Sequence, residues 1–149
     1  HPTLVETLSQ SAKQYGIGST GSRRLSGNHT IHIECEQVFS KWLNKEDAIL
    51  FNSGYQMNSS IFSSFLTKNS IVVADKYCHA SLIDGVTHSD GRLIRFKHNN
   101  MTHLDQCLNR ASKMTENPND IWILCESVYS MDGDSPNFNE LCKYNSLNF

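Results

Sequence analysis

The sequence predicts an α/β fold: a mostly parallel sheet flanked by helices. Three observations point there. Short apolar runs of strand length recur at Ala48–Phe51, Ile71–Ala74, Leu93–Phe96 and Ile121–Cys125. Between them lie stretches whose apolar residues repeat every three or four positions, the spacing of a helix with one buried face. Polar clusters follow directly on several of the runs. Alternating strands and helices require right-handed crossovers, which leave the strands parallel and covered on both faces.

In chain order, Leu4, Val5, Leu8, Ala12 and Tyr15 mark an amphipathic helix over 3–15, and the Gly- and Ser-rich residues 16–28 read as loop. Ile31, Cys35, Val38, Phe39, Trp42 and Leu43 give a second helix, and Ala48–Phe51 a short buried strand. Met57, Ile61, Phe62, Phe65 and Leu66 form the next helical face, followed by the β-branched strand at 71–74. A short helix over 80–88 leads to the strand at 93–96. Thr102 is placed to cap a helix that carries Leu104, Leu108 and Ala111. The apolar strand 121–125 precedes a last helix starting at Phe138 and reaching Tyr144.

Composition narrows the function classes. A chain of 149 residues with 38% hydrophobic and 19% charged residues fits a globular protein. A formal charge of −2 supplies no basic excess for nucleic acid or anionic membrane. No apolar run approaches the roughly 20 residues that span a bilayer. The start HPTLVETLSQ shows no signal-peptide pattern. Five scattered cysteines without a CxxC pair read as free thiols in a reducing compartment, so a cytoplasmic location is expected.

Ligands of open α/β sheets bind beyond the carboxyl ends of the strands. That rule singles out Asn52-Ser53-Gly54-Tyr55, Asp75 to His79, and Glu126 to Asp134. The first can hold an anion, because N–H groups at a helix start point outward and glycine admits close approach. The second offers an aromatic base, the third acids and hydroxyls. Each also has a plain structural reading as a capping turn, a loop histidine or a polar turn. Gly16 to Gly21 spells GxGxxG, but it follows a helical segment and runs on into loop, so dinucleotide binding is not expected. His29, His32 and Glu36 share a helix face yet lack further ligands, so no metal site is expected. Ser130 lies outside any G-x-S-x-G elbow, and serine-hydrolase chemistry is not expected.

Five segments together carry a family resemblance: YGIGSTGSRRLSGNHTIHIECE, AILFNSGYQMN, DKYCHASLIDG, RFKHNNMTHL and ESVYSMDGD. In this order and spacing, covering nearly the whole chain, they resemble the α-oxoamine synthases, pyridoxal-phosphate (PLP) acyltransferases of the aspartate-aminotransferase-like fold (PLP fold type I). The resemblance implies that residues 1–149 are the N-terminal part of the PLP-binding large domain, with opening helices and glycine-rich loop over 1–45 and the small C-terminal domain absent. It implies phosphate contacts from Gly54 and Tyr55, and His79 stacked on the pyridine ring as the catalytic, cofactor- and substrate-binding aromatic group. Ser130 would bond near the cofactor's phenolic oxygen, with Glu126 as a supporting acid, and Ser22 would contact substrate across a homodimer interface. Asp132 and Asp134 are expected to shape a turn with Gly133.

The implied reaction is the decarboxylative condensation of an amino acid with an acyl thioester, carried on CoA or a carrier protein, to give an aminoketone. Gly21-Ser22-Arg23 is similar to members that join alanine to a pimeloyl group in biotin biosynthesis, whereas Glu126 to Tyr129 is more like aminolaevulinate-forming members. Glycine acetyltransfer, aminolaevulinate formation and a non-catalytic phosphate-ligand module are the alternatives. None of the eight lysines stands where the family's Schiff-base lysine would, so this chain alone is expected to be inert.

Overall fold

The computed structural model describes residues 1–146, and the chain separates into two compact units, His1–Leu50 and Phe51 onward. The first unit holds α1 (Pro2–Tyr15) and α2 (Thr30–Trp42). Pro2 suits a first helical turn, where its missing N–H has no partner to lose. Gly16 ends α1 with φ 80° while its N–H bonds Ala12 O. The GxGxxG stretch therefore follows a helix, not a strand. In the loop after it, a Cβ on Gly27 would lie 1.9 Å from Gly21 O, so only glycine permits this backbone approach.

The strand expected at 48–51 does not form: residues 47–53 carry no regular structure. Its hydrogen-bonding groups have other partners. Leu50 N–H donates to Glu36 Oε1 (2.7 Å), and Leu50 O accepts from Arg23 (3.4 Å). Side chains of the preceding loop and α2 thus occupy the positions a neighbouring strand would use, and Ile49 stays largely exposed.

The second unit contains α3 (Gly54–Phe65), β1 (Ile71–Asp75), α4 (Ala80–Thr87), β2 (Arg92–Phe96), α5 (Met101–Ala111), β3 (Ile121–Leu124) and α6 (Phe138–Leu141). The three strands make a parallel sheet in the order β2-β1-β3. All five residues of β1 are buried, as expected for a central strand with an unbroken apolar run. Strand alternation divides its side chains between two cores. Ile71 and Val73 pack with Phe96, Leu104, Cys107, Leu108 and Ala111 on the α5 face. Val72 packs with Val86, Leu66, Phe62 and Leu93 on the α3–α4 face. Full burial of Leu104 or Leu108 contributes roughly 2 kcal/mol each.

Register pairs Val73 with Ile94 and Ile123, and Asp75 with Phe96, which aligns the carboxyl ends of the strands. α3 and α4 meet closely at Gly85, where a Cβ would come within 2.3 Å of Asn58 O and 2.7 Å of Phe62. Two helix ends differ from the expected ones. Asn100, not Thr102, caps α5, its Oδ1 accepting from His103 N–H at 2.8 Å. The preceding Asn99 takes φ 48°, a conformation that Asn tolerates better than most residues, and so the chain turns before Thr102 is reached. The last helix is α-helical only to Leu141 and then tightens into a 3-10 turn over Cys142–Ser146. All five cysteines are free.

Candidate functional site

At the end of β1 the chain turns on a buried carboxylate. Asp75 is fully buried and accepts from Tyr77 N–H (2.7 Å), Asn99 N–H (2.9 Å) and the His98 ring (2.9 Å). The turn buries Cys78, whose thiol reaches Leu124 O at 3.4 Å. Burial, with Cys125, Asp75 and Glu126 nearby, pushes that thiol up to about 12, so it stays protonated.

His79 follows as the N-cap of α4. Its backbone N–H donates to Glu126 Oε1 at 2.5 Å, joining the turn after β1 to the segment after β3. Its ring Nδ1 accepts from Ser81 N–H at 3.2 Å and lies 2.7 Å from Ser81 Oγ. Ser81 Oγ in turn accepts from Asn58 Nδ2 at 2.8 Å, which leaves its hydroxyl proton for His79. The chain Asn58–Ser81–His79 fixes Nδ1 as an acceptor and places the ring proton on Nε2. His79 itself remains exposed, so one edge is anchored while the ring is available to a ligand.

Gly54 and Tyr55 open α3. Ser53 caps the helix by accepting from Gln56 N–H at 3.2 Å, leaving the first two N–H groups outside the intrahelical ladder. A Cβ added to Gly54 would meet nothing within 4 Å, so open space lies beside this helix start. Tyr55 is half-exposed, and its hydroxyl donates to Asp84 of α4 at 3.4 Å. α3 and α4 are therefore cross-linked at both Tyr55 and Asn58.

After β3, residues 129–134 form a tight turn: Tyr129 N–H bonds Asp134 O (2.9 Å), Gly133 N–H bonds Tyr129 O (2.8 Å), and Gly133 has φ 71°. The expectation that Gly133 and its flanking aspartates shape a turn is met. Ser130 sits exposed on this turn beside Tyr129, which is buried against Cys125 and Asp75. Burial, reinforced by Cys125 and Asp75, raises the phenol well above its ordinary range.

The structure thus joins His79 to Glu126 directly and His79 to the Gly54–Tyr55 helix through Asn58 and Ser81. Ser130 touches neither; its turn is tied to the rim through Asp134. Ser22 belongs to the first unit, where its carbonyl accepts from Leu25 and Gly27 N–H groups. On α2, His32 and Glu36 already have protein partners. His29 N–H bonds His32 Nδ1 at 3.0 Å, and Glu36 is held by Arg23 at 2.6 and 2.8 Å. Arg23, then Leu50 N–H, brings the Glu36 carboxyl down to about 2.

Three rim residues carried no signal that was used. Asn58 and Ser81 lie inside helices, where an amide or hydroxyl has no telltale spacing. His98 follows β2 directly, and the carboxyl-end rule applied to that strand would have found it.

The chain matches the family described as aminotransferase class I and II over residues 1–147. It belongs to that family. A protein of Halalkalibacterium halodurans provisionally named 8-amino-7-oxononanoate synthase is 38% identical over 138 residues, covering 93% of this chain and 34% of that protein. The serine palmitoyltransferase of S. paucimobilis, solved with a bound PLP–myriocin aldimine, superposes with a TM-score of 0.86 at 31% identity, covering 96% of this chain and 35% of that one. The 8-amino-7-oxononanoate synthase of Francisella tularensis gives 0.72 at 29% identity, covering 93% and 36%. The chain therefore spans about a third of the length of these relatives. The parallel sheet with helices on both faces is the fold expected of the family.

Proposed function

We propose that this chain forms the cofactor-holding part of a PLP-dependent α-oxoamine synthase of the 8-amino-7-oxononanoate synthase type. The observation that carries the reading is His79, exposed at the rim and anchored from two sides by Glu126 and Ser81. The residues fit the cofactor. The open helix start at Gly54 and Tyr55 suits its phosphate, since unsatisfied N–H groups and the helix dipole favour an anion there. A flat imidazole with a fixed tautomer suits its ring, and the exposed Ser130 hydroxyl can donate to its phenolic oxygen.

When bound, PLP supplies a conjugated ring that takes up the electron pair of a substrate carbanion. The protein's part is placement. His79 holds the ring plane and presents its Nε2 proton at the rim. Glu126 acts through the His79 backbone, keeping the turn in place. Ser22 meets substrate from the glycine-rich loop in a homodimer. Exposed Leu4, Leu8 and Trp42 leave apolar surface for such an interface, and five free thiols suit the cytoplasm. Among the described residues no helix is long and apolar enough to cross a membrane.

The substrates proposed are alanine and a pimeloyl thioester, supported by the 38% identity to the Halalkalibacterium protein. Serine with a palmitoyl thioester is the second reading, favoured by the higher superposition score of 0.86. Assaying the intact protein with PLP and each amino acid–thioester pair separates them: CO2 release with alanine and pimeloyl-CoA supports the first, and release only with serine and palmitoyl-CoA replaces it. Borohydride reduction of the PLP-loaded intact protein should attach the cofactor to a peptide outside residues 1–149. Attachment to any of the chain's eight lysines would overturn the assignment of these residues to the non-covalent side of the site.

A further inference from the structure

The rim contains an ionic cluster that the proposed reaction does not use. His98 Nδ1 lies 2.9 Å from Asp75 Oδ1, and Nε2 lies 2.9 Å from Asp134 Oδ2. A carboxylate only accepts, so both ring nitrogens must donate, and the ring between them is an imidazolium. Tyr77 stacks on one face at 4.2 Å and 18°, and Tyr129 meets the ring edge-on at 4.6 Å and 87°. Asn99 reinforces both bonds, its N–H on Asp75 and its amide on Asp134 at 2.6 Å.

The neighbours of His98 tie it to the cofactor contacts. Tyr77 is two residues before His79, and Tyr129 directly precedes Ser130. We propose that His98 is a positioning residue: bonded to Asp75 on one side and Asp134 on the other, it sets the His79 turn and the Ser130 turn at the separation that a PLP ring requires. The inference rests on the PLP reading above.

The groups facing His98 are Asp75 at the end of β1, Tyr77 from the turn after it, and Tyr129, Asp132 and Asp134 from the segment after β3. Cys78 and Cys125 lie behind Asp75 with thiols that burial keeps protonated. On its own segment, Lys97 N–H is taken by His103 of α5. Partial burial opposes the charge on His98, but the hydrogen bonds and negative charge of Asp75 and Asp134 outweigh it, so the ring titrates above its ordinary value. A raised value means that the bridge is complete below the unfolded pKa of ~6.5 and is lost as pH rises through the folded one.

The test follows PLP affinity and the visible circular dichroism of the bound cofactor in the intact protein from pH 6 to 9, for wild type, H98Q and D134N. The expected result is a wild-type affinity that falls with rising pH, and an H98Q protein about 10-fold weaker at low pH with a flattened profile. D134N should move the wild-type midpoint downward. H98Q that folds normally and shares the wild-type affinity and profile overturns the proposal while leaving the PLP reading intact. A wild type that binds no PLP overturns both. Should H98Q fail to fold, ¹⁵N titration of His98 in the wild type decides. Its midpoint must coincide with that of the cofactor dichroism and move with it in D134N; separate midpoints refute the bridge.

Discussion

At the start of α4 the ring of His79 is held by neutral groups, Asn58, Ser81 and a backbone N–H, with a carboxylate, Glu126, only on its backbone, whereas after β2 the ring of His98 is held by two carboxylates. The same side-chain type is used in opposite ways. Nδ1 of His79 accepts and its ring is exposed; both nitrogens of His98 donate and its ring is largely enclosed. The difference separates the histidine that can face a ligand from the one that holds the loops around it.

The comparison breaks most sharply at Asp75. Asp75→Ala removes the acceptor of three donors and leaves the His98 charge half-paired, so a loss of about 3–5 kcal/mol is expected in urea denaturation of the intact protein. A loss under about 1 kcal/mol, the scale of an exposed pair, would mean that the cluster is not the anchor described.

Ser81→Ala tests the neutral side. It leaves the Asn58 amide short of an acceptor and His79 Nδ1 with only the residue-81 backbone N–H, for an expected loss of roughly 1–3 kcal/mol. Urea denaturation of the intact protein reads that loss, and no measurable loss would show that the Asn58–Ser81–His79 chain does not anchor this side of the rim.

The smallest effect is expected at Arg23–Glu36, an ion pair in the other unit with Arg23 one-third exposed. Arg23→Leu should return the Glu36 carboxyl from about 2 toward an ordinary value, read by carbon NMR titration. Because the folded value is depressed, whatever the pair contributes is present above the unfolded value of ~4.3 and lost as pH falls through about 2. An unmoved titration would show that Leu50 N–H, not Arg23, holds the carboxylate.

Much of the second unit was legible because its signals are local. Ile71–Ala74 reads as a central strand from its β-branched run, and Leu104, Leu108 and Ala111 read as one helix face from their spacing. A positional rule about strand ends singled out Gly54, His79 and Glu126, the first of them after a strand that does not form, and the structure connects their elements through Asn58 and Ser81, which the rule does not reach. Ala48–Phe51 misled because an apolar run states only what would be buried, not whether a partner strand lies beside it. Its partners are Arg23 and Glu36, 27 and 14 residues away from Leu50. His98 itself is within reach of the strand-end rule, but its pairing with Asp75 and Asp134 is not, because the three meet only once the strands are in register.

The capture of Leu50 has a consequence for solubility. A non-helical Ala-Ile-Leu-Phe segment with Ile49 and Phe51 exposed would, were its backbone groups free, invite another chain to add to it as a strand, a route toward aggregation. Here Arg23 and Glu36 stop that ladder at its middle rung, acting as an internal decoy partner that cannot propagate. The ion pair therefore also withholds the Leu50 backbone from strand addition, apart from whatever it contributes to stability.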